Sequence, residues 1–328
     1  MESLQSPQWD TDLELPERCA HLLGGLEAWI KSPTLRELSS GWDNELPSNM
    51  TATELFDWYD EFSARHWDRR GGRERNEASS AELTPVQAET AVEAAEVLGL
   101  VGPCRPKRSE YDFMLILGGL IRGCMTRPRY ARELVHSGIK VRSITALGGF
   151  RPLRGDELAL AEAMNVTARN EFQAMIAGLK GAFPDLGQER IETSVVGEES
   201  NSDWAIASFD DGDQTVIAAP SREPTERRAN TADTFAWWAG RVSEARGKHV
   251  LLITNPIYVP YQSAVAIENL GIPFDVTVEM AGISASAADL GADTQPFGPS
   301  NYLQEIRSAI RGYRSLYDVV ARLADGTG

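Results

Sequence analysis

Four short stretches hold the residues best suited to chemistry. Gly118-Gly119 closes the apolar run YDFMLIL and is followed by Arg127, and Gly148-Gly149 closes VRSITAL and is followed by Arg151. Thr254-Asn255 closes KHVLLIT and leads to Tyr258, Tyr261 and Gln262, while Arg227-Arg228-Ala229-Asn230-Thr231 precedes Asp233. Glycine lets backbone amides approach a ligand closely, helix N-termini add a positive dipole, and arginines add charge, so the set suits an anionic or polar small molecule. The glycine loops and the Asn230-Thr231 helix start then hold the anionic group, and Arg127, Arg151 and Arg228 neutralise it. Glu171 or Asp233 is the carboxylate for acid/base work, and Tyr258 donates a proton or hydrogen bond. Thr254, Asn255, Tyr261 and Gln262 complete the ligand-binding set. Group transfer or hydrolysis suits such a site, because both need charge stabilisation and a placed proton carrier more than a redox cofactor.

Other chemistries lack their patterns. Neither GxGxxG nor GxxxxGK[ST] is present, and GxSxG, HExxH and CxxC are also missing. Cys19, Cys104 and Cys124 stand at unrelated spacings without paired histidines, so no metal is expected and the thiols are read as reduced. His249 opens a strand and His136 sits near a helix end, and neither stands out as a general base.

These residues need elements to position them. From about Tyr111 the pattern runs strand, glycine turn, helix, strand, which is the repeat of a doubly wound parallel sheet. In such a sheet the ligand crevice lies beyond the carboxyl ends of the strands, where the glycine pairs and Thr254-Asn255 should converge. A helix is expected to start at Thr126 with Pro128 and to run to Gly138, and another to start at Thr167 with Phe172, Met175, Ile176 and Leu179 on one face. Residues 191–219 break the alternation with β-rich pieces and acidic turns, and are read as an inserted edge hairpin with solvated tips. Asn230 is an N-cap with Asp233 at N3, but Arg227 and Arg228 place two cations beside a helix terminus that is already positive. Either a ligand anion or a protein carboxylate must sit opposite them.

The first hundred residues read as helical. Thr51 to Glu54 and Thr84 to Gln87 are capping-box starts, and the polar stretch 69–82 between them is expected to be a mobile loop. A long closing helix is expected over about 300–324, its Leu303, Ile306, Ile310, Tyr313, Leu316, Tyr317 and Val320 on one face. The expected fold is α/β, with a helical N-terminal domain at 1–105 and a Rossmann-like, mainly parallel, doubly wound domain at 106–328.

The motifs in order resemble the SanA/ElyC/YdcF-like family, over roughly residues 111–275. They are Leu117-Gly118-Gly119, Arg127 or Arg129 opening a helix, Leu147-Gly148-Gly149, Asn170-Glu171 leading to Met175, Arg228-Ala229-Asn230-Thr231, and Ile253-Thr254-Asn255. The resemblance implies a Rossmann-like sheet whose pocket is lined by these motifs, and a ligand similar to S-adenosylmethionine. Three positions depart from the family. Arg228 replaces its serine, and Tyr258 and Tyr261 stand where it has a histidine and an arginine. Other members act at the bacterial envelope through a membrane anchor, in place of which this chain has helices.

Composition narrows the function further. Of 328 residues, 48 are acidic and 32 basic, and the net charge of −16 argues against nucleic acid, which demands a basic face. Five lysines among the 32 basic residues leave 27 arginines. No run approaches ~18 apolar residues and the acidic N-terminus is unlike a signal peptide, so a cytoplasmic protein with no membrane partner is expected. The expectation is an enzyme of specialised metabolism acting on an anionic, nucleotide-like or S-adenosylmethionine-like small molecule. The alternative is a non-catalytic binding protein or a partner in a biosynthetic assembly.

Overall fold

The computed structural model describes residue 4 and residues 6–42, 46–68, 82–209, 213–242, 245–282 and 296–326. The loop expected at 69–82 falls almost wholly outside them. The chain divides into two compact units, one of residues 1–102, 256–268 and 296–328, the other of 103–255 and 269–295.

The first unit is helical. It contains α1 (Leu15–Ile30), α2 (Pro33–Ser40), α3 (Ala52–His66), α4 (Pro85–Val97), α9 (Val259–Ala266) and α11 (Pro299–Ala324). Both expected capping boxes form: Thr51 with Glu54 starts α3, and Thr84 with Gln87 starts α4. Each satisfies two amides that a bare helix end would leave unpaired. Leu303, Ile306, Ile310, Tyr313, Leu316 and Val320 of α11 are all buried. Tyr313 meets Trp29 of α1 edge to face at 4.8 Å, and Arg307 donates to Asp60 of α3 at 2.8 Å. The long helix was expected within the α/β part, behind a boundary near residue 105. It packs on α1, α3, α4 and α9 instead, because its apolar stripe matches theirs.

The second unit is α/β. Its elements are β1 (Glu110–Leu117), α5 (Ile121–His136), β2 (Lys140–Gly148), α6 (Asp156–Ala163), α7 (Glu171–Ala182), β3 (Arg190–Thr193), β4 (Ala205–Phe209), β5 (Gln214–Ala218), α8 (Thr231–Arg241), β6 (His249–Thr254), the single turn α10 (Ile272–Phe274) and β7 (Thr277–Gly282). The seven strands lie in the order β3-β4-β5-β2-β1-β6-β7. β5, β2, β1, β6 and β7 pair in parallel, and β3 and β4 add antiparallel strands at one edge. The stretch 191–219 therefore builds an edge as expected, but its last piece, β5, is also a full member of the parallel sheet.

Both faces of the sheet are covered, which explains runs such as FMLIL and VLLI with no polar alternation. Met114, Ile116, Ile144, Ala146, Leu251 and Ile253 share a core with Cys124, Met125, Met175 and Leu179 of α5 and α7. From the opposite face Phe113 meets Trp238 of α8 at 5.2 Å.

Two helix starts differ from expectation. α5 begins at Ile121, and Pro128 lies inside it. Proline at 128 cannot donate to the carbonyl of Cys124 one turn back. That carbonyl faces α7, where a Cβ added to Gly178 would stand 2.0 Å from it. A glycine there lets the two helices approach closely, and its Cα hydrogens face an oxygen that the proline has freed. α7 begins at Glu171 rather than Thr167, because Asn170 accepts from the Gln173 amide at 3.0 Å and sets the cap.

Candidate functional site

The chain builds outward from β1 through β2 to β5 and then returns to place β6 on the other side of β1. The direction of winding reverses between β1 and β6, and in an open parallel sheet that is where a crevice opens at the carboxyl ends. Gly118-Gly119 and Asn255 follow the ends of β1 and β6 there, and Gly148 ends β2 with Gly149 just after it.

Arg127 braces this reversal from within. Its side chain is 1% exposed, its Nε donates to Asn255 Oδ1 at 2.8 Å, and its Nη1 donates to the carbonyl of Leu117 at 2.7 Å and to that of Gly118. A Cβ at Gly119 or Gly123 would stand 3.3 or 3.4 Å from the guanidinium group. These glycines make room for an arginine of the chain itself. The expectation that Arg127 meets a ligand is corrected accordingly: its charge is spent on carbonyls and Asn255, joining β1 to β6.

Arg151 and two glutamates form a second cluster. Arg151 donates through Nη1 to Glu157 at 2.7 Å and through Nη2 to the Gly119 carbonyl at 2.9 Å, and its Nε lies 3.6 Å from Glu171 Oε2. Glu157 also accepts from the Ile121 amide at 3.0 Å, placing a negative charge at the N-terminus of α5. Glu157 was not anticipated. It belongs to an eight-residue helix with no clear period, and the acidic pair after Gly155 was its one signal. The expected anion-neutralising role of Arg151 is thus met in the first place by protein carboxylates.

Glu171 is the carboxylate that these loops surround. A Cβ at Gly118 would fall 2.1 Å from its Oε1 and 2.4 Å from the Leu147 carbonyl, so only glycine fits. Burial pushes the Glu171 carboxyl above the usual carboxylate range against the pull of Arg151 and Arg127, with the charge of Glu157 adding to the rise and the Gly119 amide opposing it. Its side chain keeps 15% exposure, and that of Arg151 keeps 16%. Cys124 beside them is pushed up to about 12 by burial and by the Glu171 charge, which leaves a thiol rather than a thiolate.

The anion opposite Arg227 is Asp233. Its carboxylate, 0% exposed, accepts from Arg227, from Arg222 Nε at 2.7 Å and from the Asn230 amide at 3.0 Å. Burial raises its pKa, but Arg227, the Asn230 amide and Arg222 outweigh this and hold it at about 2. Asp233 is therefore locked as an ion and cannot trade protons near neutral pH, which corrects its expected catalytic role. Asn230 returns the cap by accepting from the Asp233 amide at 3.0 Å, and Thr231 is the first residue of α8. Arg228 is exposed.

Thr254 is fully buried as the last residue of β6. Tyr258, Tyr261 and Gln262 belong to the helical unit. The Tyr258 ring meets Phe297 at 5.8 Å, Tyr261 packs against Gly312, and Gln262 is buried. Within the α/β unit the expected residues that come together are therefore Gly118, Gly119, Arg127, Gly149, Arg151, Glu171 and Asn255.

No helix among the described residues is long and apolar enough to cross a membrane. Residues 15–99 match a family described as the Rv3785 N-terminal domain, a segment that runs from the first residue of α1 to two residues past α4. Over 321 residues the chain is 28% identical to uncharacterized protein Rv3785 of Mycobacterium tuberculosis, covering 89% of this chain and 88% of that one. The same identity and coverage relate it to uncharacterized protein Mb3814 of Mycobacterium bovis. No solved structure matches.

Proposed function

We propose that the chain is an enzyme that acts on an anionic small molecule, nucleotide-like or S-adenosylmethionine-like, by group transfer or hydrolysis, with Glu171 as its acid/base group. The observation that carries this is the setting of Glu171: a carboxyl raised by burial, partly exposed at the sheet reversal and flanked by the partly exposed Arg151. A carboxyl raised by burial beside a charged partner, at a partly exposed position, is the setting in which acid/base groups are found. The α/β unit is read as Rossmann-like and doubly wound, and the expected helical N-terminal domain, 1–105, as part of a helical unit that α9 and α11 complete. Helices on both faces of the sheet support this, as do the motifs shared with the SanA/ElyC/YdcF-like family. Asp233 drops out of the catalytic set because it is locked as an ion.

A non-catalytic binding protein is the second reading. Arg127 is held by two carbonyls and Asn255, and Arg151 by Glu157 and Glu171, so the cluster suits a rigid binding wall as well as a reaction centre.

Calorimetric titration of the full chain with S-adenosylmethionine and with adenosine nucleotides tests both, alongside mass spectrometry of co-purifying small molecules and of reaction products. The enzyme reading expects Glu171→Gln to keep binding and lose turnover, and Arg151→Ala to lose binding. Binding without turnover in the wild type would favour the second reading. Binding and turnover untouched by both substitutions would remove this site from consideration.

A further inference from the structure

The outer edge of the sheet lies open. β3 is the terminal strand, and all four of its residues, Arg190, Ile191, Glu192 and Thr193, are exposed. Ile191 is 50% exposed, an apolar side chain that a solvated edge has no need of. Strand edges are usually blunted by shortness, by charged side chains, by proline or by a covering loop, and charges of opposite sign blunt an edge only until they meet their opposites. This edge carries one charge of each sign, two residues apart.

The hydrogen-bonding direction of each residue follows from the ladder. Arg190, Ile191, Glu192 and Thr193 stand opposite Ser208, Ala207, Ile206 and Ala205 of β4. One step further along the same register, Ser194 donates its amide to the Trp204 carbonyl at 3.0 Å. Antiparallel strands alternate between residues that bond to the neighbour and residues that do not. Glu192 and Arg190 therefore bond inward to β4, and the amide and carbonyl of Ile191 and Thr193 are directed outward.

We propose that two copies of this chain associate through β3, antiparallel, with Ile191 facing Ile191 of the second copy across a two-fold axis. In this register the outward amide and carbonyl of Ile191 meet their own counterparts, which gives a reciprocal pair of backbone hydrogen bonds. Arg190 of each copy then stands opposite Glu192 of the other, twice, on one face of the joined sheet, while the two isoleucines meet on the other face. Arg190 and Glu192 already pair within the strand at 82% and 53% exposure, so an equivalent contact across the axis needs little further desolvation. The alternatives are poorer. Placing Ile191 opposite Thr193 sets Glu192 against Glu192, and placing Thr193 opposite itself leaves both charges without a partner of opposite sign. Opposite charges directly across a ladder stabilise it and like charges weaken it, so the sequence RIET selects one register. The net charge of −16 opposes association at low ionic strength, and salt at ~0.15 M screens that repulsion beyond ~8 Å.

Sedimentation velocity of the full chain over a dilution series in such salt tests this. The wild type is expected to move from the 36.0 kDa single-chain mass toward twice that mass as concentration rises. Glu192→Arg places arginine against arginine and is expected to abolish the larger species. The exchange Arg190→Glu with Glu192→Arg restores opposite charges in the same register and is expected to bring it back. Circular dichroism confirms that each variant is folded, which the exposure of both positions favours. A wild type that stays at the single-chain mass at every concentration overturns the proposal, and so does a Glu192→Arg variant that associates as the wild type does.

Discussion

Asp233 shows how one side chain can carry two signatures in a sequence. An acidic residue three positions after an asparagine cap, with two arginines before it, fits both a helix start and a catalytic carboxylate. The structure assigns it to the helix start: Arg222, Arg227 and the Asn230 amide all converge on a side chain with no exposure. Because its folded pKa of about 2 lies below the ordinary carboxylate value, its contribution to stability is full above that value. It is then lost as the pH falls toward 2. Asp233→Asn should therefore destabilise the protein near neutral pH by roughly 2 kcal/mol, a figure kept modest by the exposure of Arg222 and Arg227. Urea unfolding across a pH series measures this, and the gap between variant and wild type should close between about pH 4 and pH 2. A gap independent of pH would mean that the cap geometry matters and the ion pairs do not. Glu171 was legible only through the family resemblance, in which Asn170-Glu171 is one of the ordered motifs, since the helix itself was expected to start at Thr167. Its partner Glu157 was not, since nothing local in the sequence tells of a contact made with Arg151 and the amide of Ile121.

At the scale of elements, strands were easier to foresee than helix starts. Continuous apolar runs ending in glycine mark buried parallel strands whatever surrounds them. Helix starts depend on caps, and a proline about two turns inside α5 imitates the signal of a first turn. The close crossing of α5 and α7 gives this a measurable form. Gly178→Ala puts a methyl group 2.0 Å from the Cys124 carbonyl, so the helices must separate, at an expected cost of about 1–3 kcal/mol. Gly181→Ala, on the same helix with nothing within 4 Å, removes only backbone freedom and should stabilise by up to about 1 kcal/mol. Thermal melts of the two variants should shift in opposite directions. Shifts of the same sign would show that the crossing yields easily and that Gly178 is not required for it.

For the whole molecule, the sequence made the two kinds of architecture visible but misplaced one long helix. Periodicity shows that α11 has an apolar face, and says nothing of which core that face completes. The helical unit draws on three separate stretches of chain, and α1, α3 and α4 bury side chains against α11. A fragment of residues 1–102 should consequently lack stable tertiary structure, with fast amide exchange and no cooperative melt, even though it contains the whole 15–99 match. Adding a peptide of residues 296–328 should slow that exchange. A fragment that melts cooperatively alone would show that α11 is dispensable to the helical core.

The same arrangement sets a delay during synthesis. α4 ends at Val97 and α11 begins at Pro299, so about 200 residues separate the helices from the one that covers them. At ~5–20 residues per second, the N-terminal helices wait ~10–40 s for the partners of apolar side chains such as Trp29 and Phe56, which meet Tyr313 and Tyr317 of α11. For that interval the nascent chain is a natural client for chaperones, while the entire α/β unit can be made and folded in the meantime.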